Sequence, residues 1–201
     1  MSRGRIRKEE IHMSILPVHK LFVSSPEGWN AFARIQPSAI KLFVLLVVPF
    51  SLIPPLMLEY AGQHLGAALF PDTTGQAWSI AALFFLIAEL ASVPFMAWAI
   101  KSVANSKGID SNYHDAFMLA AVAPVPLWLS SLVLFSDQII LIMAMVALGV
   151  VGSVVLIFRG AGSILKIGEE LVAFDIAYTV TALGLVVWVM LVMLGLVPAL
   201  A

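Results

Sequence analysis

The sequence predicts an all-α integral membrane protein, a bundle of five transmembrane helices. Of its 201 residues 61% are hydrophobic and 11% are charged, and the mean hydropathy is +1.02. Soluble domains carry about 25% charged residues, so a soluble fold could not bury this much apolar surface. Five apolar stretches of about 20 residues are each long enough to cross about 30 Å of hydrocarbon as a helix. They are apolar on every face, which argues against the alternating strands of a barrel.

The distribution of basic residues supports five crossings and predicts their orientation. The predicted spans are residues 39–60, 77–100, 115–135, 138–158 and 174–198. With this threading, all eleven Lys and Arg residues lie on or next to one side: Arg3, Arg5, Arg7, Lys8, Lys20, Arg34, Lys41, Lys101, Lys107, Arg159 and Lys166. Short loops rich in Lys and Arg stay cytoplasmic. We therefore expect a multi-pass protein of the cell inner (plasma) membrane, with a cytoplasmic N-terminus and the C-terminus outside.

The segment before the first span divides into two parts. Residues 1–20 are predicted to be a disordered cytoplasmic tail, and residues 21–37 a short amphipathic helix. Ser25 can cap this helix, with Pro26 at its first position, and Trp29 begins an apolar face at helical spacing. The helix either lies at the cytoplasmic headgroups or packs on the cytoplasmic ends of the spans. Residues 38–201 form the five-span domain.

Prolines distinguish the first three spans from the last two. Pro49 and the Pro54-Pro55 pair predict a kink or break in span one, while Pro94 lies in span two and Pro124 and Pro126 in span three. Spans four and five have no interior proline. On these spans, small residues four apart predict close helix packing: Gly149 with Ser153, and Ala177 with Thr181.

Glu89 is the outstanding polar residue within a predicted span. A charged side chain at the bilayer centre costs about 2.5–3.5 kcal/mol or more, so we expect a neutral carboxyl that hydrogen-bonds to a neighbouring helix. The predicted partners are hydroxyl side chains: Ser92, Ser130, Ser131, Ser153, Thr179 and Thr181. Because Pro94 disturbs nearby backbone hydrogen bonds, Glu89, Ser92 and Pro94 form a candidate proton or cation site. The alternative is that Glu89 holds helices or subunits together.

The sequence carries no recognisable catalytic or cofactor chemistry. It has no cysteine, no H-E-x-x-H, no G-x-S-x-G and no phosphate-binding G-x-x-x-x-G-K-[ST] motif. Glu59, His64 and Asp72 lie near one predicted outer loop without regular spacing, which favours a solvated loop over a metal site. We therefore expect no enzymatic activity, no cofactor and no metal. The basic residues follow from membrane insertion and do not indicate nucleic-acid binding.

Three segments of the chain resemble the Yip (Ypt/Rab-interacting protein) family, in its bacterial inner-membrane, YohC-like branch. They are Leu21–Trp29 before span one, Asn112–Phe117 continuing to Leu132 in span three, and Phe158–Glu170 after span four. The residues that carry the resemblance are Pro26, Trp29, Tyr113, Ala116, Phe117, Pro126 and Gly160. The resemblance implies five spans with a cytoplasmic N-terminus, and it supplies no catalytic residue.

Two functions follow as hypotheses. The first is a non-enzymatic membrane protein that organises or binds other membrane components; its partners would be the bilayer and itself or another membrane protein. The second is a transporter or channel for protons, cations or a small solute, using Glu89 and the proline-bent spans one to three. The environment of Glu89 separates them, since this side chain can face a water-accessible cavity, the lipid or a packed helix interface. A water-accessible cavity favours transport, and exposure to lipid favours a partner protein.

Overall fold

The computed structural model describes Trp29, Ala33 and residues 36–200 of the chain. Within that part the secondary structure is helical, without strands, and five helices are long and apolar enough to cross a membrane. They are α1 (Ala39–Leu69), α2 (Gly75–Ser106), α3 (Tyr113–Phe135), α4 (Ile139–Ile164) and α5 (Glu170–Gly195), followed by the short α6 (Val197–Leu200). The prediction of an all-helical, five-span membrane protein is confirmed. Pro26, the tail and most of the predicted amphipathic helix lie outside the described residues.

The helices extend beyond the apolar stretches of the sequence. Helix α1 continues through His64 to Leu69, and α2 continues past Lys101 to Ser106. Helix α4 likewise continues past Arg159 to Ile164. Intrahelical hydrogen bonds can continue into the interfacial and aqueous layers, so a helix need not end where its sequence ceases to be apolar.

The prolines divide α1 and α3 but not α2. Helix α1 contains π-helical segments at Phe43–Val47 and Gly62–Gly66, and a turn at Leu52 before the Pro54-Pro55 pair. In α3, regular helix over Tyr113–Val122 is interrupted before Val125–Ser130 and tightens to a 3-10 helix at Ser131–Phe135. Helix α2 passes through Pro94 without interruption. Helices α4 and α5, which lack interior prolines, are each a single α-helix.

Helices α2, α3, α4 and α5 each pack against the next, and α5 packs back on α2. Helix α1 lies across α2 and α3. Because successive helices are antiparallel, the loops at 107–112 and 165–169 share one end of the bundle, here called the basic end. The loops at 70–74 and 136–138 share the other, the opposite end. Each described Lys and Arg lies towards the basic end.

Salt bridges join the two loops of the basic end. The Lys166 ammonium lies 3.1 Å from Asp115 at the start of α3, and the Lys107 ammonium lies 2.6 Å from Asp175 at the start of α5. At the opposite end, the Thr73 hydroxyl donates to the Pro198 carbonyl at 3.0 Å. These contacts connect segments that are distant in sequence, so they fix the ends of neighbouring helices together.

Candidate intramembrane site

Glu89 lies inside the bundle, close to the midpoint of α2. The helix has 32 residues, which gives a length of about 48 Å at 1.5 Å per residue. The Glu89 side chain is 4% exposed. It faces neither the lipid nor water at a helix end, so the carboxyl needs partners within the protein.

The partner of the Glu89 carboxyl is a tryptophan of α3. The Trp128 indole N–H donates to Glu89 Oε1 at 2.6 Å, and Trp128 itself is 2% exposed. The second oxygen, Oε2, is buried and has no hydrogen-bond partner among the described residues. The site therefore combines one satisfied oxygen with one that is not.

None of the predicted hydroxyl partners reaches this carboxyl. The Ser92 hydroxyl donates to the Glu89 backbone carbonyl at 2.7 Å, and Ser130 and Ser131 donate to carbonyls of α3. The Thr179 hydroxyl donates to the Asp175 carbonyl one turn earlier. Such bonds to the preceding turn are common for hydroxyl residues in helices, and they leave the longer tryptophan side chain as the donor.

Trp128 is the site residue that the sequence reasoning missed. It stands in one of the three segments that resemble the Yip family, but no polar role was predicted for it. The sequence nonetheless contains a signal for this role, because an indole N–H within a membrane span requires a hydrogen-bond acceptor. Glu89 is the carboxyl at that depth.

Glu89 lines a cavity of about 430 Å³. All five helices contribute to its lining. These are α1 through Pro54 and Leu58, α2, the second half of α3, α4 through Val146, and the last turns of α5. Its lining includes the rings of Phe85, Trp128 and Trp188 and is otherwise mainly aliphatic. Glu89 is the single titratable side chain among the described residues that line it. Its volume falls within the range of small-molecule sites, about 300–1,000 Å³.

A second cavity, of about 90 Å³, adjoins the first inside the ring of α2 to α5. The two share Ser92, Leu127 and Trp188 as lining residues. Ser153 and Thr181 line the second cavity, and their hydroxyl oxygens are buried without a hydrogen-bond partner among the described residues. Unpartnered polar atoms in the middle of the bundle therefore cluster around two neighbouring cavities.

The small residues predicted on α4 and α5 occupy different environments. A Cβ atom on Gly149 would lie 2.6 Å from Ser130 Oγ and 3.1 Å from the Pro126 carbonyl oxygen, so α4 approaches α3 closely here. Ser153, one turn later, faces the smaller cavity. On α5, Ala177 is fully buried in the core, and Thr181 lines the same cavity as Ser153.

Pro94 lies apart from the Glu89 carboxyl. It lines neither of the two cavities, and its carbonyl accepts a hydrogen bond from the Tyr113 hydroxyl at 3.4 Å. The structure thus brings Glu89 and Ser92 to one cavity but does not place Pro94 there.

The segments that resemble the Yip family supply packing contacts at the basic end. Trp29 is 1% exposed, and a Cβ atom on Gly160 would lie 3.0 Å from its ring. Ala116 and Phe117 are buried in the same core. Trp29 itself therefore packs on the ends of the spans, and the choice between the two predicted positions of residues 21–37 stays a prediction.

No group of side chains that could hold a metal ion occurs among the described residues. A family model described as the Yip1 domain matches residues 20–191. Comparisons with curated proteins and with solved structures gave no match.

Proposed function

We propose that this chain, which belongs to the Yip1 domain family, is a non-enzymatic membrane protein that binds another membrane component within the bilayer. The binding site is the cavity at Glu89. The observation that carries this proposal is the buried Glu89 Oε2, which has no partner among the described residues and belongs to a side chain that lines a 430 Å³ cavity.

The mainly apolar lining of the cavity favours a small membrane-soluble ligand over the water-filled path that transport of ions requires. Its position inside the bundle also favours such a ligand over a partner protein. A partner helix would contact the outer surface of the bundle, whereas Glu89 is 4% exposed and Trp128 is 2% exposed. An unpartnered polar atom in an apolar site costs about 1–3 kcal/mol. A ligand that supplies the missing hydrogen bond would recover part of this free energy.

We propose that the basic end faces the cytoplasm, and that the membrane is the bacterial inner membrane which the resemblance of the three segments implies. Every Lys and Arg lies on or next to one predicted side, the bias that directs insertion. In this orientation Trp29, the 107–112 loop and the 165–169 loop are cytoplasmic, and α6 is outside.

Photo-crosslinking from within the cavity tests the proposal. A photoreactive residue at Val146, which lines the cavity, should capture a discrete small molecule in native membranes. The same residue at Ile140, on the same helix but 84% exposed, should capture bulk phospholipid. Glu89→Leu should remove the Val146 adduct and leave the Ile140 adducts unchanged.

Three results would count against the proposed function. Identical adducts at both positions would remove the evidence for a site. Capture of a protein at Val146 would replace the small ligand with a protein partner. A proton or cation flux in liposomes that Glu89→Gln abolishes would instead support the transporter hypothesis.

A further inference from the structure

We infer that the Glu89 cavity binds an apolar molecule with a carbonyl oxygen in the middle of the bilayer, and that Glu89 Oε2 donates a hydrogen bond to this oxygen. The inference rests on the proposed function and specifies the chemistry of its ligand. It follows from the direction of the hydrogen bond at Trp128, from the absence of a basic side chain among the described lining residues, and from the depth of Glu89.

The Trp128 hydrogen bond assigns roles to the two carboxyl oxygens. An indole N–H can only donate, so Glu89 Oε1, 2.6 Å away, is the acceptor. A neutral carboxylic acid has one O–H donor. With Oε1 as the accepting carbonyl oxygen, the proton resides on Oε2. That oxygen is covered by its neighbours and lacks a partner among the described residues. A ligand in the cavity therefore reaches it only when the side chains beside it shift, and the ligand group that then matches it is an acceptor.

The cavity lining favours the neutral acid. Its described residues include no Lys, Arg or His, and an uncompensated charge at the bilayer centre is costly. A cationic amine could bind only if Glu89 were ionised, with the ligand itself supplying the compensating charge. The amine is therefore the competing ligand class.

The depth of Glu89 argues against the ester carbonyls of an ordinary phospholipid. Ester groups lie at the boundary of a hydrocarbon core about 30 Å thick, which is about 15 Å from its midplane. Glu89 lies near the midpoint of α2. A phospholipid could reach it only by drawing its charged headgroup into the core, whereas an apolar ketone or quinone carries its carbonyl to this depth without a headgroup.

The larger cavity is lined by the aromatic rings of Phe85, Trp128 and Trp188 and is the one that is large enough for the ligand. The smaller cavity, of about 90 Å³, shares Ser92, Leu127 and Trp188 with it, so an extended ligand would pass from one to the other beside Trp188.

Three probes of equal chain length test the ligand class: a long-chain ketone with a central carbonyl, the corresponding amine and the alkane. Retention of each labelled probe would be measured on the purified 201-residue chain in micelles by equilibrium gel filtration. We expect the wild type to retain the ketone more strongly than the alkane or the amine.

Variants at Glu89 separate a donor from an anion. Glu89→Gln should bind the ketone within about threefold of wild type, because an amide keeps both a donor and an acceptor. Glu89→Leu should weaken ketone binding about tenfold, the effect of one buried hydrogen bond. Glu59→Leu is the matched control, since Glu59 accepts from Ser79 and lines neither cavity. The infrared carbonyl band of the ketone should also move to lower wavenumber on binding to wild type.

Tighter binding of the amine, lost in Glu89→Gln, would overturn this inference while the proposed function stood. Equal ketone binding by wild type and Glu89→Leu would also overturn it, as would an unshifted carbonyl band. The photo-crosslinking experiment is independent of these probes. A discrete adduct at Val146 together with failure of the ketone would therefore contradict the ligand class alone.

Discussion

The basic end of the bundle and its middle bury a carboxyl to the same extent but surround it differently. Asp115 and Glu89 are both 4% exposed. Asp115 Oδ2 accepts from the Asn112 amide and from the Lys166 ammonium, each at 3.1 Å, whereas the Glu89 carboxyl accepts from the Trp128 indole. Within the described part of the chain each carboxyl keeps one oxygen without a hydrogen-bond partner, but Glu89 also lines a cavity. Burial of a carboxyl therefore does not by itself indicate a binding site. A binding site is indicated when the buried carboxyl lacks a compensating charge and also lies beside a cavity.

Side-chain packing also differs between the basic end and the middle of the bundle. At the basic end the first half of α3, from Ala116 to Val122, is buried throughout and packs with Trp29 and α4. In the middle, the prolines interrupt α3 and the two cavities begin. Tight packing resists added volume, and a cavity accepts it.

Substitutions that enlarge a side chain should give the largest difference in stability between the basic end and the middle of the bundle. Gly160→Leu should lower the free energy of unfolding by about 3 kcal/mol, because a Cβ there already meets Leu119 and Trp29. Val146→Phe, directed into the 430 Å³ cavity, should change it by less than about 1 kcal/mol. Unfolding in mixed micelles titrated with SDS measures both.

Gly162→Ala is the control for a glycine change on α4, since a Cβ there meets only Ala173, at 3.7 Å. It should be neutral or stabilise by about 0.5–1 kcal/mol. Equal losses for Gly160→Leu and Val146→Phe would contradict the packing difference.

Removing a cation at the basic end should have a smaller effect. Lys166→Ala should cost about 1–2 kcal/mol, because it leaves the buried Asp115 uncompensated while water still reaches the lysine side. Lys107→Ala should cost less than about 1 kcal/mol, since both members of its pair are about half exposed. If Lys107→Ala proved the more destabilising of the two, Asp115 would not depend on Lys166.

The Glu89–Trp128 pair should show a coupling free energy of about 1 kcal/mol in unfolding. A double-mutant cycle with Glu89→Leu and Trp128→Phe isolates it from the loss of ring volume. A coupling near zero would mean that the 2.6 Å contact does not stabilise the fold.

The smallest effect is expected from Ser153→Ala. The Ser153 hydroxyl is buried without a partner among the described residues, so its removal should change stability by less than about 0.5 kcal/mol, in the stabilising direction if at all. A loss above about 1 kcal/mol would show that this hydroxyl makes a hydrogen bond in the membrane.

The number of spans and the depth of Glu89 could be predicted from the sequence, because hydropathy acts on every residue of a span. The breaks at Leu52 and before Val125 also follow from local proline chemistry. The Trp128 partner and the cavities could not be predicted in the same way. They depend on which faces of α2 and α3 meet, and α2 is apolar around most of its circumference. The extension of α1 past His64 to Leu69 could not be predicted either, because Glu59, Gln63 and His64 interrupt the apolar stretch before it resumes at Leu65.

Native mass spectrometry of the chain released from its own membrane shows directly whether the Glu89 cavity holds an apolar ligand. We expect one bound apolar molecule without a phosphate group, retained by wild type and Glu89→Gln and reduced about tenfold in Glu89→Leu. Retention of phospholipid alone, in equal amounts by all three proteins, would contradict it.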